Sequence, residues 1–93
     1  MMKKKFIINY TPEAEQDLRY WHHQDKKTLK RILKLIENME ETPFSGLGKP
    51  EPLKHGLSGC WSRRIDTTHR LVYEVDQDAM EIWILQARHH YTA

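Results

Sequence analysis

Residues 61–88 read WSRRIDTTHRLVYEVDQDAMEIWILQAR, and their period decides the fold. Side chains recur with a period of two along Trp61–Asp66, Arg70–Asp76 and Met80–Arg88. Turn chemistry separates the three runs at Asp66-Thr67-Thr68 and Asp76-Gln77-Asp78. Consecutive strands joined by tight turns predict antiparallel pairing. Alternation also sorts the faces: Leu71, Tyr73 and Val75 form a core face, and Arg70 and Val72 point the other way. Arg64 points opposite to Trp61, Arg63 and Ile65.

Toward the N-terminus the period changes. Phe6–Tyr10 reads as a short strand. Thr11-Pro12-Glu13 is a helix start, with Thr11 as N-cap and Pro12 at the first helical position. Ala14, Leu18 and Trp21 recur at helical spacing and should face the core. Gln24-Asp25 breaks the pattern, and Asp25 can cap a second helix. Its apolar stripe is Leu29, Ile32, Leu33, Ile36 and Met39, with Lys26, Lys27, Lys30 and Lys34 exposed. A loop punctuated by Thr42-Pro43, Gly46, Gly48, Pro50 and Pro52 follows, and Leu53–Leu57 reads as another short strand. Gly46-Leu47-Gly48 lacks the rest of a nucleotide-binding fingerprint and is not a phosphate loop. The order predicts an α+β fold: one N-terminal strand, then two antiparallel helices packed on one face of a mainly antiparallel sheet. The opposite face is then free to hold a polar site.

Composition bounds the rest. Ninety-three residues make one domain, 1–93, with a modest core. A single cysteine, Cys60, excludes an internal disulfide framework and suits a reducing cytoplasm. Cys60 reads as a small filler at a strand start rather than a reactive thiol. No apolar run reaches the roughly 18 residues of a membrane span. The start MMKKKFIINY has too short an apolar stretch for a signal peptide, so Met1–Lys5 reads as a tail. Net charge is only +2, but it is unevenly spread. Lys49, Lys54, Arg63, Arg64 and Arg70 face only Glu51 and Asp66 across residues 49–70, whereas Glu74, Asp76, Asp78 and Glu81 stand without a base nearby. One basic face suits a phosphate-rich partner.

Several residues carry the makings of metal-free RNA cleavage. Glu51, between Pro50 and Pro52, is presented from a stiff segment and could serve as a general base, or simply be a solvated loop glutamate. Arg64 and Arg70 lie on adjacent strands and could grip a phosphate, or pair with Glu74, Glu81 or Asp66. His90 and Tyr91 follow the last strand, and an imidazole is suited to proton donation near neutrality, although a solvated tail would read the same. The adjacent pairs His22-His23 and His89-His90 do not aim two rings at one ion, and no zinc-type spacing occurs. No metal and no cofactor are expected. Trp21, Trp61, Trp83 and Tyr20 read as core or dimer-interface residues rather than base-stacking platforms.

The stretches TPFSGLGKPEPLKH, SGCWSRRI and HRLVYEV resemble the YoeB branch of the RelE-like toxins, the ribosome-dependent mRNA interferases of bacterial toxin–antitoxin modules. The resemblance runs from Thr11 to Tyr91. It implies Glu51 as general base, Arg70 as transition-state arginine, His90 as general acid and Tyr91 as an aid in positioning the scissile phosphate. Lys49, Lys54, His55 and Arg64 match positions expected to contact RNA or support the site, and Arg63 and Arg88 are counted with them as RNA-binding. Two departures are visible: the chain continues as Thr92-Ala93, and His89 stands where aromatic residues are familiar. The resemblance implies cleavage of mRNA in the ribosomal A site, a YefM-type antitoxin, a homodimer, and operator DNA bound only through the antitoxin. Two other readings stand beside it. A non-catalytic relative of ParE acting on gyrase would not need base, arginine and acid together, and a general RNA-binding protein would bind free RNA without Glu51.

Overall fold

The computed structural model describes residues 4–54 and 59–89. The elements are β1 (Ile7–Tyr10), α1 (Pro12–Gln24), α2 (Lys26–Glu41), β2 (Glu51–Pro52), β3 (Cys60–Arg64), β4 (Arg70–Asp76) and β5 (Glu81–Gln86). Thr11 caps α1 as expected, its Oγ1 accepting from the Ala14 amide at 3.1 Å. Asp25 ends one helix and starts the next. Its amide donates to the Trp21 carbonyl, and its carboxylate accepts from the Lys27 and Thr28 amides. That shared cap folds α2 back against α1.

The strands form one sheet in the order β1-β5-β4-β3-β2. β1 pairs parallel to β5, and the remaining pairs are antiparallel. Both helices pack on one face. Ala14 and Trp21 from α1 and Ile32, Leu35, Ile36 and Met39 from α2 close on Leu71, Tyr73, Ile82 and Ile84. This is the α+β arrangement expected from the sequence, two helices on one face of a mainly antiparallel sheet. No helix among the described residues is long and apolar enough to cross a membrane.

Two details differ from the sequence reading. In α2, Leu33 is 48% exposed and Leu35 is fully buried. At about 100° per residue, Ile32, Leu35, Ile36 and Met39 share one arc, and Leu33 falls beside it. The short strand expected at Leu53–Leu57 lies earlier, at Glu51–Pro52. Residues 55–58 are outside the described part of the chain. Pro50 and Pro52 lack amide hydrogens, so a pair of residues on the outermost strand is the extent of sheet they allow. Leu53 still donates its amide to the Cys60 carbonyl at 2.9 Å.

Candidate functional site

The helix-free face of the sheet is built by register. Glu51 stands opposite Ser62, Ser62 opposite Val72, and Val72 opposite Gln86. One step along β3 and β4, Arg64 stands opposite Arg70. Strands lie about 4.8 Å apart and a two-residue step covers about 7 Å, so Glu51, Arg64 and Arg70 border one patch. Ser62 and Val72 at its centre are buried, Glu51 and Arg64 are exposed, and Arg70 is half-buried. Among the described residues neither arginine is ion-paired; the pair found there is Lys5 with Glu41. The carboxylate pairing considered for Arg64 and Arg70 is therefore not formed.

Local structure fixes these side chains. The Arg64 amide donates to the Gly48 carbonyl at 2.7 Å, and the Arg64 carbonyl accepts from Arg31 Nη2 at 3.3 Å. Gly48 has φ +81, and a Cβ there would meet Leu35 Cδ2 at 2.8 Å and the Arg64 carbonyl oxygen at 3.2 Å, so glycine alone fits. This close approach brings Lys49, an exposed residue with φ 52, alongside the patch. Arg70 Nη1 donates to the carbonyls of Asp66 and His69 at 3.0 and 3.1 Å, which braces the guanidinium on the β3–β4 turn. Asp66 organises that turn by accepting from the Thr68 and His69 amides. Partial burial pushes the Asp66 carboxyl up, but the His69 and Thr68 amide bonds outweigh it, and the group titrates below its usual value.

Arg63 corrects the sequence reading. It was expected at the RNA surface, yet it is 0% exposed. Nε donates to the Tyr73 hydroxyl at 3.1 Å, Nη1 to Asn38 Oδ1 and the Leu47 carbonyl, and Nη2 to the Thr42 and Ser45 carbonyls. All five guanidinium hydrogens are satisfied by neutral acceptors. Tyr73 passes its own hydroxyl hydrogen to the Pro43 carbonyl at 2.7 Å. Burial pushes the Tyr73 phenol up, against a smaller opposing pull from Arg63. Arg63 is thus the hub of the 42–48 loop. The signal was present in the sequence, since Arg63 alternates with Trp61 and Ile65 on the core side.

The chain after β5 is tied down by α1 and β4. The Ala87 amide donates to buried Asp17 at 2.9 Å, and Trp21 Nε1 donates to the Ala87 carbonyl at 2.7 Å. The Arg88 guanidinium lies 3.5 Å over the Tyr20 ring. The His89 amide donates to His69 Nδ1 at 2.8 Å, and the Arg70 amide donates to the His89 carbonyl at 3.0 Å. His90, Tyr91 and His55 lie outside the described residues, and Lys54 is exposed. The sequence reading missed Asp17, Asn38 and His69. Asp17 and Asn38 do break apolar helical stripes, which is the cue for a buried polar anchor. His69 had no such cue.

Cys60 is buried at the start of β3, and burial followed by the nearby Glu74 raises its thiol above the usual value, away from the reactive thiolate. Among the described residues no group of three His, Cys, Asp or Glu side chains could hold a metal ion. Trp21 is buried, Trp61 packs on Phe44 with ring centres 4.9 Å apart, and Trp83 is 40% exposed.

Residues 10–91 match the family described as YoeB-like toxin of bacterial type II toxin–antitoxin system. Toxin YoeB of Mycobacterium bovis is 51% identical over 84 residues, covering 90% of this chain and 96% of its own. The solved YoeB/ParE toxin from Agrobacterium tumefaciens is 41% identical with a TM-score of 0.88, covering 91% of this chain and 99% of its own. A Staphylococcus aureus YoeB dimer is 40% identical with a TM-score of 0.84, covering 94% and 99%. The same organism's YoeB–YefM complex aligns over 94% and 99% at 39% identity and a TM-score of 0.82.

Proposed function

The chain belongs to the family of YoeB-like toxins of bacterial type II toxin–antitoxin systems, and from that premise we propose that it is a metal-independent mRNA interferase acting in the ribosomal A site. The observation that carries the reading is the register of the helix-free face. One exposed carboxylate, Glu51, and two arginines without carboxylate ion pairs among the described residues, Arg64 and Arg70, border one patch.

In the proposed reaction Glu51 takes the proton from a ribose 2′-hydroxyl. The 2′-oxygen attacks the adjacent phosphorus, and the bond from phosphorus to the 5′-oxygen breaks. Arg70, with Arg64 beside it, neutralises the charge that builds on the phosphoryl oxygens. His90 gives its proton to the departing 5′-oxygen, and Tyr91 steadies the phosphate. The products are a 2′,3′-cyclic phosphate and a 5′-hydroxyl. Lys49, Lys54, His55 and Arg88 supply RNA contacts around this centre. The ribosome holds the substrate in line, an ordering that a protein of 93 residues does not provide alone.

The protein partner is a YefM-type antitoxin, as in the Staphylococcus aureus YoeB–YefM complex, and the toxin forms a homodimer, as in the YoeB dimer of that organism. The antitoxin covers the basic face and carries any binding to operator DNA. The test is primer extension on mRNA programmed into purified ribosomes, with wild-type protein beside Glu51→Ala and His90→Ala. The expected outcome is A-site cleavage by the wild type alone, and none without ribosomes. No cleavage by folded wild-type protein would replace this reading with that of a non-catalytic toxin and turn attention to gyrase.

A further inference from the structure

His89, the last described residue, is held through its backbone. Its φ of 71 is in the left-handed region, which costs energy for any side chain bearing a Cβ. Such a conformation persists where its surroundings over-determine it. Both backbone polar groups of His89 are taken, and by consecutive residues: its N–H by His69 Nδ1 at 2.8 Å and its carbonyl by the Arg70 amide at 3.0 Å.

His69 is itself fixed. Its carbonyl accepts from the Ile65 amide at 3.0 Å and from Arg70 Nη1 at 3.1 Å, and its amide donates to Asp66 Oδ1 at 2.6 Å. Its ring stands edge-on to Trp21, with centres 4.8 Å apart and planes at 83°. One residue thus touches the side chain of Arg70, the end of the 87–89 segment and the buried face of α1.

We propose that His69 is a positioning residue for the cleavage reaction. Its neutral ring, with Nδ1 as acceptor, clasps the His89 amide and so fixes His89, the residue that precedes the general acid in sequence, beside Arg70. This rests on the reading of residue 90 as the general acid.

The acceptor role dictates the tautomer. Nδ1 must be bare, so the ring hydrogen sits on Nε2. A second proton would turn Nδ1 into a donor facing the His89 N–H, and the clasp would open. Asp66 and Arg70 flank the ring in its own turn and strand, and the 87–89 segment sets His89 against it and carries Arg88, whose guanidinium lies over Tyr20. From α1 come uncharged Trp21 and Tyr20, and Asp17, whose carboxylate is already engaged by Ala87. None offers the His89 amide a second acceptor. Acid therefore weakens the clasp, the opposite of its effect on a general acid, which acts in its protonated form.

Asparagine separates position from charge. Its Oδ1 is the same number of bonds from the backbone as Nδ1 and accepts at every pH, whereas glutamine places its amide where Nε2 lies. Ribosome-programmed cleavage and exchange of the His89 amide hydrogen are measured for wild type, His69→Asn, His69→Gln and His69→Ala. In His69→Ala and His69→Gln the cleavage rate is expected to fall by about 10- to 100-fold, with ribosome affinity unchanged. His69→Asn keeps a rate close to wild type. On acidification the wild type loses rate as the His69 ring takes a second proton, and His69→Asn does not share that loss. The His89 amide is protected in wild type and His69→Asn and exchanges freely in the other two. Should His69→Ala not fold, His69→Gln carries the comparison. Equal rates in wild type and His69→Gln would overturn the proposal, as would a His69→Asn rate as low as that of His69→Gln. If the wild type cleaves nothing, the interferase reading fails separately, and amide exchange alone decides the clasp. Protection kept in His69→Asn and lost in His69→Gln then upholds it, and protection that is unchanged in His69→Gln refutes it.

Discussion

Arg63 and Arg64 are neighbours in β3, yet the sheet sends them to opposite fates. Arg63 enters the helix side, where a guanidinium without water must find an acceptor for every hydrogen, and it finds five. Arg64 faces the helix-free side, opposite Arg70, where among the described residues no carboxylate pairs with it. The first arrangement spends all hydrogen-bonding capacity inside the protein. The second leaves charge directed outward, at the cost of two like charges held side by side. A charge whose needs are met internally stabilises the fold, and a charge left without a partner awaits one. The basic face is therefore smaller than a count of arginines suggests, and more sharply aimed.

Substitution at the two positions should separate these roles. Arg63→Ala empties a fully buried site and leaves Asn38, Tyr73 and the partly buried carbonyls of the 42–48 loop without their donors, so urea unfolding should show a loss of about 3–5 kcal/mol. Arg64→Ala should change stability by no more than about 0.5 kcal/mol while lowering cleavage on ribosomes. Equal losses of stability would erase the distinction. Within the outward face, Arg70→Ala should slow cleavage by about 10²–10³-fold in single-turnover measurements. Arg70→Lys should recover only part of that, because an ammonium lacks the two-pronged geometry.

A smaller effect is expected at the anchor of the 87–89 segment. Trp21→Phe keeps one aromatic ring but removes the five-membered part of the indole, with the N–H that meets the Ala87 carbonyl, and should cost about 1–3 kcal/mol of stability. The smallest effect concerns pH. Hydrogen bonds from Thr28, side chain first and then backbone, lower the Asp25 carboxyl below its usual value. A lowered folded value means a stabilising contribution that is present above the unfolded carboxylate pKa and is lost as pH falls through the folded one. Thermal melts of Asp25→Asn, which keeps an acceptor at the cap, should therefore show a weaker decline in acid than wild type. An unchanged acid decline would place the dependence elsewhere.

Most of the fold was legible because its signals are local. Thr11-Pro12 and Asp25 mark helix ends by chemistry within three residues, and the strands announce themselves by alternation. Leu33 differs from expectation because it stands at i+4 from Leu29, at the edge of the stripe, while the arc facing the sheet passes through Leu35. Arg64 and Arg70 could be sorted away from their core-facing neighbours by alternation, and the register sets them opposite each other, but Glu51 read as a loop residue and only the pairing of β2 with β3 brings it to that face. Arg63 was misjudged for the opposite reason: charge outweighed an alternation that already put it with Trp61 and Ile65. The His69–His89 contact joins residues 20 apart through a side chain and a backbone amide, and no local pattern encodes that. Buried Asp17 and half-buried Asn38 belong to the same class, because a polar residue is recognisable in an apolar stripe but its partner is not.

The reaction proposed for the helix-free face makes the substrate's own 2′-hydroxyl the nucleophile. The most direct test replaces that single hydroxyl by hydrogen at the cleaved nucleotide of an mRNA bound in the A site, and follows cutting by wild-type protein. Loss of cleavage at that bond, with toxin and mRNA still bound to the ribosome, is expected. Continued cleavage at the deoxy position would mean that water attacks instead, and Glu51, Arg70 and His90 would need other roles.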